Sequence, residues 1–578
     1  KKGEVFVSSN EIGRFLDINT VMLEDKEGFV SLNMICEQEH YELIQDNNNV
    51  RINTGGYVKD LSINERDFID PFVVLGKAED YLKSGAYALD ENGVLIYDYG
   101  DNYNAGKQYN PAWISQYAMI LYRDYLESDK TEINLLDEFM IQVDYLCTMG
   151  TKYDNFILWE YDFDNDNFEA KAPWHSGMAN ARVCNVMFIA YYLTNDYKYL
   201  CNSEYAFRAF LYAMDENGVT TFIDENTSYY EEVSKIGIPS TKILNGHIFA
   251  LGGIKAYLNA TGRKDVEKTF NNGLNAVVLD IDKYDGGYIS YYAQPKRFPR
   301  DYAGRGDYNQ IHVYQLLWVY EQTLDANLLK HIFRFYNYEL GDYVITAKGS
   351  TDPIKHGPGE FNLTFGNSYW SHNEFPTWTQ VTYDSMKTVE EVTILSRSID
   401  AAPHEFIISI SEDGELWEKL LTEKNNNSLL YSYKLTYPKK AKNIKIDIFS
   451  DNGNNNTALI GIGITTKEDA THLCDFRNFS SGNMPNKIFS EKGFKIKEDG
   501  WIILNLEQEE KNRDRCTFDL EDYVGLIKYE YSLDLNEWKE QRGAVCNKNT
   551  VEIKLENYKY LKIYLPEEAK YIKNLKIK

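Results

Sequence analysis

The stretch Ile114-Ser-Gln-Tyr117-Ala118-Met-Ile-Leu121-Tyr-Arg-Asp-Tyr125 places its apolar residues at i, i+3, i+4 and i+7, the period of one helix face. It marks a change along the chain. Before it, to about residue 100, runs such as Glu4-Val-Phe-Val7 and Gly93-Val-Leu-Ile-Tyr97 are strand-like, broken by Asn47-Asn-Asn49 and Gly55-Gly56. After it the helical period recurs. Leu135, Phe139, Val143 and Leu146 fit a second face, and helical segments are predicted at 176–194, 204–214, 245–260, 264–279 and 309–323. Connections are short, some of them Gly-containing hairpins such as Gly218-Val-Thr-Thr-Phe-Ile223. Successive antiparallel helices at this spacing predict an (α/α) toroid or partial toroid over 101–360, with a helical bundle or solenoid as the alternative. From about residue 365 the helices stop and short β-runs begin.

That β-rich end contains an internal repeat. Ser411-Glu-Asp413-Gly-Glu-Leu-Trp417 matches Ser532-Leu-Asp534-Leu-Asn-Glu-Trp538, and Lys442-Asn-Ile444-Lys-Ile446 matches Lys559-Tyr-Leu561-Lys-Ile563. The offsets are 121 and 117 residues, about one domain. Two tandem β-sandwiches are expected, at 365–466 and 467–578, each with a Trp able to cover one end. The first, with Phe406-Ile-Ile-Ser-Ile-Ser-Glu-Asp-Gly, resembles the discoidin-like (F5/8 type C) sandwich, and the second resembles a diverged copy of it. The chain thus reads as multidomain: a β-rich segment (1–100), a mainly α domain (101–360) and two sandwiches.

Its 578 residues carry a formal net charge of −27. A general nucleic-acid binder, or a protein drawn to anionic membranes, needs a cationic face that this balance opposes. Mean hydropathy is −0.49, and no apolar run approaches the ~20 residues of a membrane span. The first residues, Lys1 to Leu16, lack an apolar signal-peptide core, so the expectation is a chain not exported that way or already trimmed. The location expected is extracellular or cell-envelope rather than cytoplasmic. Seven dispersed cysteines without a CxxC pair argue against a zinc ribbon or a disulfide scaffold. Forty-six tyrosines and nine tryptophans suit sugar binding, although AT-rich coding explains the same bias.

Metal, nucleotide and serine-hydrolase signatures are missing: there is no HExxH, GxSxG, P-loop or dinucleotide fingerprint. The run Asp162-Phe-Asp164-Asn-Asp166 has calcium-loop spacing, but it lacks Gly at position 6 and has Pro173 at position 12. A solvated acidic turn is the reading, calcium the alternative; no cofactor is expected. Three other segments stand out. Tyr229-Tyr230-Glu231-Glu232-Val233 leads through Ile238-Pro-Ser-Thr to Leu244-Asn245-Gly246-His247, and Asp285-Gly-Gly-Tyr288-Ile-Ser-Tyr291-Tyr292 reads as a tight turn followed by tyrosines. Lys296-Arg297-Phe-Pro-Arg300-Asp-Tyr302-Ala-Gly-Arg305-Gly-Asp307-Tyr308 gathers four cations in ten residues. In so acidic a chain a local cationic patch is what an anionic polymer requires. The bland readings are solvent charges, aromatic packing and, for the cationic loop, internal neutralisation.

These segments, together with Gly93-Val-Leu-Ile-Tyr-Asp-Tyr-Gly100, Tyr109-Asn-Pro111, Pro173-Trp174-His-Ser176-Gly-Met178-Ala179 and Arg305-x-Asp307-Tyr308-x-x-x-His312, resemble the C-terminal catalytic domain of heparosan glucuronate C5-epimerases. The matching order runs from about 90 to 320 and leaves 365–578 outside it. The resemblance implies a cofactor-free conversion of glucuronate to iduronate within a heparan-type chain. It puts the catalytic acid on Glu232 and phenols on Tyr291 (Tyr292 by a one-residue slip) and Tyr308. The family's tyrosine after the glutamate is Val233 here, so that hydroxyl is absent or comes from Tyr229 or Tyr230. Substrate contacts are implied for Arg305, with Arg300 and Lys296 in reserve, and for His312, Trp174 and Asn245. The resemblance also implies a homodimer, for which the residues themselves offer no interface.

Chemically, removing a proton alpha to a carboxylate builds dianionic charge that an arginine neutralises, and epimerisation needs an acid/base group on each ring face. A polysaccharide lyase shares the first step. A glycoside hydrolase would need two carboxylates across the bond, and a non-catalytic sugar-binding protein is the remaining alternative.

Overall fold

A computed structural model describes residues 64–578 and four short strands before them, apart from 75, 84, 101–104, 295–302, 304–307, 341–342, 350–368, 468–471, 475–493, 497–499, 507–512, 542, 548, 556 and 567. The chain divides into two compact units, Lys1–Val277 and Val278–Lys578.

The first unit begins with two hairpins, β1 (Phe6–Ser8) with β2 (Phe29–Ser31) and β3 (Glu42–Asp46) with β4 (Asn49–Asn53). A short helix α1 (Ala78–Leu82) and a three-stranded sheet follow: β5 (Tyr87–Leu89), β6 (Leu95–Asp98) and β7 (Lys107–Gln108). Then come helices α2 (Pro111–Glu127), α3 (Asn134–Met149), α4 (Gly177–Thr194), α5 (Tyr197–Arg208), α6 (Leu244–Thr261) and α7 (Lys264–Asp280). Asn110 starts α2: its side chain accepts from the N–H groups of Ala112 and Trp113, with Pro111 at the first position. Helix α4 is buried on all sides from Gly177 to Ala190 and packs against α2, α3, α5 and α6, which is why its apolar residues show no single face. Between the helices lie hairpins β8 (Thr151–Lys152)/β9 (Ile157–Leu158), β10 (Glu160–Tyr161)/β11 (Trp174–His175) and β12 (Thr220–Asp224)/β13 (Thr227–Tyr230). The helix expected at 204–214 instead ends at Arg208 and gives way to 3-10 turns at Ala209–Leu211 and Met214–Glu216.

The second unit opens with α8 (Tyr308–Thr323) and α9 (Ala326–Leu340), which pack as a hairpin. The first sandwich follows: β14 (Tyr343–Ala347), β15 (Trp370–His372), β16 (Thr377–Ser396), β17 (Pro403–Ser411), β18 (Glu418–Glu423), β19 (Leu430–Asp451) and β20 (Thr457–Thr466). The 20-residue β16 and 22-residue β19 shift register between Thr382 and Lys387, so β16 pairs with β14 along its first half and with β20 along its second. Trp370, Val381, Phe406, Ile408 and Ile446 fill its core. The second sandwich runs from β21 (His472–Cys474) through β22 (Phe494–Lys495), β23 (Gly500–Asn505), β24 (Arg515–Leu520), β25 (Gly525–Ile527), β26 (Tyr529–Ser532), β27 (Trp538–Glu540), β28 (Ala544–Cys546), β29 (Thr550–Lys554) and β30 (Tyr560–Leu565) to β31 (Tyr571–Ile577). Its five- and four-stranded sheets share a core of Ile502, Leu504, Phe518, Val551 and Ile563.

The sequence repeat is a structural one. In each copy the Asp closes the turn: Asp413 Oδ1 accepts from the N–H groups of Glu415 (2.8 Å) and Leu416 (2.9 Å), and Asp534 Oδ1 from those of Asn536 (2.9 Å) and Glu537 (3.1 Å). The Trp that follows packs on the second lysine of the downstream motif. Lys445 Nζ is 5.9 Å from the Trp417 ring and 5.7 Å from Trp378; Lys562 Nζ is 5.7 Å from Trp538 and 5.2 Å from Trp501. Trp378 pairs with Asp447 and Trp501 with Tyr564, each two residues past its lysine, so both copies have one register.

Candidate active site

Strand β11 forms the spine of the site in the first unit. On one side Tyr161 pairs with Trp174, and their rings stack at 4.1 Å and 9°. On the other, His175 and Ser234 exchange backbone hydrogen bonds, and the Gly177 N–H donates to Glu231 O at 2.7 Å. The segment from Glu231 to Ser234 is therefore hydrogen-bonded at its two ends, to the start of α4 and to β11.

The two adjacent glutamates take different roles. Glu231 is fully buried. Its carboxylate accepts from Thr221 Oγ1 (2.7 Å), Ser240 Oγ (2.5 Å), Thr241 N and Oγ1 (2.9 and 2.8 Å) and Lys242 N (2.9 Å). It ties down the loop that feeds α6 and is not a solvent charge. Glu232 is half-buried, its carboxylate against Gly246 in the first turn of α6. A Cβ on Gly246 would lie 2.5 Å from Glu232 Cβ and 2.7 Å from its Cδ, so only glycine leaves this seat open. A helix first turn presents unpaired N–H groups and the positive end of the macrodipole, which favour a carboxylate there. Asn245, 3% exposed, is its neighbour in that turn.

A line of touching rings ends on Trp174, the ring that stacks on Tyr161: Tyr81–Tyr87 (4.1 Å), Tyr87–Tyr97 (5.1 Å), Tyr97–Tyr99 (4.6 Å), Tyr99–Phe163 (4.9 Å) and Phe163–Trp174 (5.7 Å). Asn110 joins two phenols, donating from Nδ2 to Tyr99 OH (2.7 Å) and accepting from Tyr161 OH (3.2 Å). Burial, then the Tyr99 and Glu232 charges, hold the Tyr161 phenol protonated far above the usual tyrosine range. Behind it Arg182, 1% exposed, pairs with buried Asp70 at 3.4 Å and lies 5.0 Å from the Phe249 ring. Burial raises the Asp70 pKa in spite of that partner.

Tyr230 leaves the candidate set. It is 2% exposed and its hydroxyl donates to Thr269 O, deep in the helical core. Tyr229 is likewise buried, its hydroxyl donating to Ala276 O at 3.4 Å. Neither supplies a hydroxyl in place of Val233. Trp174 is 6% exposed and donates from Nε1 to Phe163 O, so it supports Tyr161 from within. The Asp162–Asp166 run is an ion-paired turn, with Lys171 on Asp164 (2.7 Å) and Asp166 (3.1 Å). Among the described residues no three His, Cys, Asp or Glu side chains gather to hold a metal.

The remaining candidates belong to the second unit. Asp285 and Ser290 form an antiparallel bridge, and Tyr291 N–H donates to Tyr284 O at 2.9 Å, closing a hairpin from which Tyr291 and Tyr292 emerge half-buried. The Tyr292 and Tyr308 rings meet at 4.6 Å, and Tyr308, the first residue of α8, is 36% exposed. His312 is fully buried, its Nδ1 2.8 Å from Ser290 Oγ, and burial pushes its pKa down to about 3. It is a neutral pin between hairpin and helix, not a sugar contact. Arg305, Arg300 and Lys296 lie outside the described residues. Tyr161, Asn110 and Arg182 carried no sequence signal of a site beyond the Asn-Pro cap motif, because strand and helix neighbours bring them together.

Comparison with known proteins finds two family matches along the chain. Residues 153–337 match the family described as D-glucuronyl C5-epimerase C-terminus, and residues 345–461 match the F5/8 type C domain. An uncharacterized protein of Methanocaldococcus jannaschii is 29% identical over 180 residues, 30% of this chain and 56% of that protein. D-glucuronyl C5-epimerase of Caenorhabditis elegans is 26% identical over 182 residues, 29% of each chain. The alignments therefore span about half and under a third of these relatives. Solved structures similar to part of the chain include the family 32 module of NanJ from Clostridium perfringens in complex with galactose (15% identity, 21% of this chain and 93% of that one, TM-score 0.19). Another is a pectin-binding carbohydrate-binding module (26% identity, 22% of this chain and 90% of that one, TM-score 0.19).

Proposed function

We propose that this protein modifies carbohydrate, acting at C5 of uronate residues in an acidic polysaccharide and converting glucuronate to iduronate in a heparosan-like chain. The helices are taken as parts of an (α/α) toroid. One observation carries the reading: a glutamate seated on a helix first turn where only glycine leaves it room, close enough for its charge to act on the Tyr161 phenol. A carboxylate held there is poised to move a proton, and the half-buried Tyr81, Tyr87, Tyr97 and Tyr99 rings offer faces to pyranose C–H groups. The epimerase-type match over 153–337 and the F5/8 type C match support the same substrate class.

Glu232 exchanges the C5 proton on one ring face, and the other face needs a second group, for which Tyr291 and Tyr308 are the phenols. A phenol on that face serves as the acid that returns a proton. Arg305, with Arg300 or Lys296, neutralises the uronate carboxylate as charge develops. Incubation with heparosan in deuterated water tests the reading. Deuterium should enter at C5 with iduronate formation, and Glu232→Gln and Tyr308→Phe should abolish it while both proteins stay folded. An unsaturated, ultraviolet-absorbing product would mean a lyase instead, and no exchange by the wild type on any uronate polymer would mean a binding protein.

A further inference from the structure

The first sandwich contacts the Asp285–Ser290 hairpin closely. Gly287, at φ +81°, turns the chain where any Cβ would fall 2.5 Å from Thr465 Oγ1. The Tyr288 ring lies flat on Gly463, where a Cβ would come within 2.5 Å of Cδ1 and Cδ2. Both partners are on β20. From the other side Asp285 is gripped by α9: it accepts from Tyr338 OH (2.7 Å) and pairs with Arg334 Nε (2.6 Å). Its Oδ1 also caps the turn by accepting from Gly287 N (2.8 Å). The far end is pinned to α8, with Ser290 N donating to Asn309 Oδ1 (3.0 Å). The cavity left beside Tyr288, Tyr338, Tyr343, Tyr383 and Lys387 measures about 30 Å³, room for about two waters and far too small for a pyranose. This contact is packing, not a sugar subsite.

We propose that the first β-sandwich is a brace for the hairpin that carries Tyr291: β20, through Gly463 and Thr465, seats Gly287 and Tyr288 and so fixes the direction in which Tyr291 and Tyr292 leave the turn. Tyr288, Gly463 and Thr465 are positioning residues. A sandwich that only collected polymer would need no such glycine contacts. The catalytic consequence rests on the C5 reading; the mechanical one does not.

The test uses the full chain with Gly463→Val, which drives a side chain into the ring, and Tyr288→Ala, which removes the ring and adds nothing. Amide hydrogen exchange at Gly286 and Tyr291, whose N–H groups donate to Ile289 O (3.0 Å) and Tyr284 O (2.9 Å), reports the hairpin directly. Both variants should speed exchange there about tenfold or more while Ile446 and Ile448 in the sandwich core stay protected. The kcat for C5 exchange should fall roughly 10- to 100-fold with KM within about twofold, the cost of an ångström-scale misplacement. The double variant should be no worse than Tyr288→Ala alone, since the introduced valine then has nothing to strike. Unchanged exchange at Gly286 and Tyr291 in Tyr288→Ala, or additive effects in the double variant, would overturn the brace. A wild type without C5 activity would sink the functional reading only, because the amides still decide the brace.

Discussion

Replacing Gly246 with alanine tests the seat of Glu232. The new Cβ would stand 2.5 Å from Glu232 Cβ, against the roughly 3.5–4.0 Å that carbon atoms need. Because Glu232 Cβ is fixed to the backbone, about 1 Å of relief must come from moving the segment or the helix turn, not from a rotamer change. Two stability effects oppose each other. Alanine gains about 0.8–1.0 kcal/mol of helix propensity over glycine, and overpacking costs about 1–3 kcal/mol. The net is a loss of about 0–2 kcal/mol, small enough to leave the protein folded. The catalytic effect is larger: an ångström of displacement in an acid/base group costs on the order of 100-fold in rate. The assay pairs C5 deuterium incorporation with urea unfolding. In a Glu232→Gly background, where the obstructing atoms are gone, Gly246→Ala should turn neutral or stabilising, giving a coupling energy of about 1–3 kcal/mol. Exchange within twofold of wild type in Gly246→Ala would refute the idea that this seat positions the reacting carboxylate.

Glu231→Ala should destabilise the first unit by about 4 kcal/mol or more in urea unfolding, because it strands buried donors that a fully buried carboxylate satisfied. Glu231→Gln should fall between it and wild type. Arg182→Met should cost about 3–5 kcal/mol by leaving Asp70 buried without its cation, and adding Asp70→Asn should recover part of it. Burial pushes His247 and His175 down to about 4 and His312 and His472 to about 3. They stay neutral in the fold while the unfolded chain protonates them below about 6.5, so the unfolded state binds more protons as pH falls. Stability should be complete above that pH and drop toward pH 4 by up to about 1.4 kcal/mol per unit for each histidine. His247→Gln should flatten the unfolding free energy against pH by one such share, and an unchanged slope would refute it.

The helices of the first unit were legible because a period of 3.6 is a local property, and Phe139, Val143 and Leu146 are buried as their spacing requires. The domain-length repeat was equally legible. Its Asp turns are made by neighbours in sequence, so the same letters close the same turn twice. Where the helical run past residue 204 ends was not legible, since the break at Arg208 depends on what α5 meets and not on a breaker residue. Helix α9 went unread beyond residue 323. Residues Thr227–Tyr230 are all buried, so alternation could not reveal which way Tyr229 and Tyr230 point.

Composition, charge, the order of the motifs and the Gly-rich hairpin were properties of the chain alone, because each rests on nearest neighbours or on sums over residues. Tertiary structure decided which of two adjacent glutamates binds a loop and which faces a helix turn. It also showed that Tyr230 is spent on the core, and that a glycine in a sandwich strand supports a tyrosine 175 positions earlier. These outcomes depend on atoms far apart along the chain meeting within a few ångströms, and no local pattern encodes such a meeting.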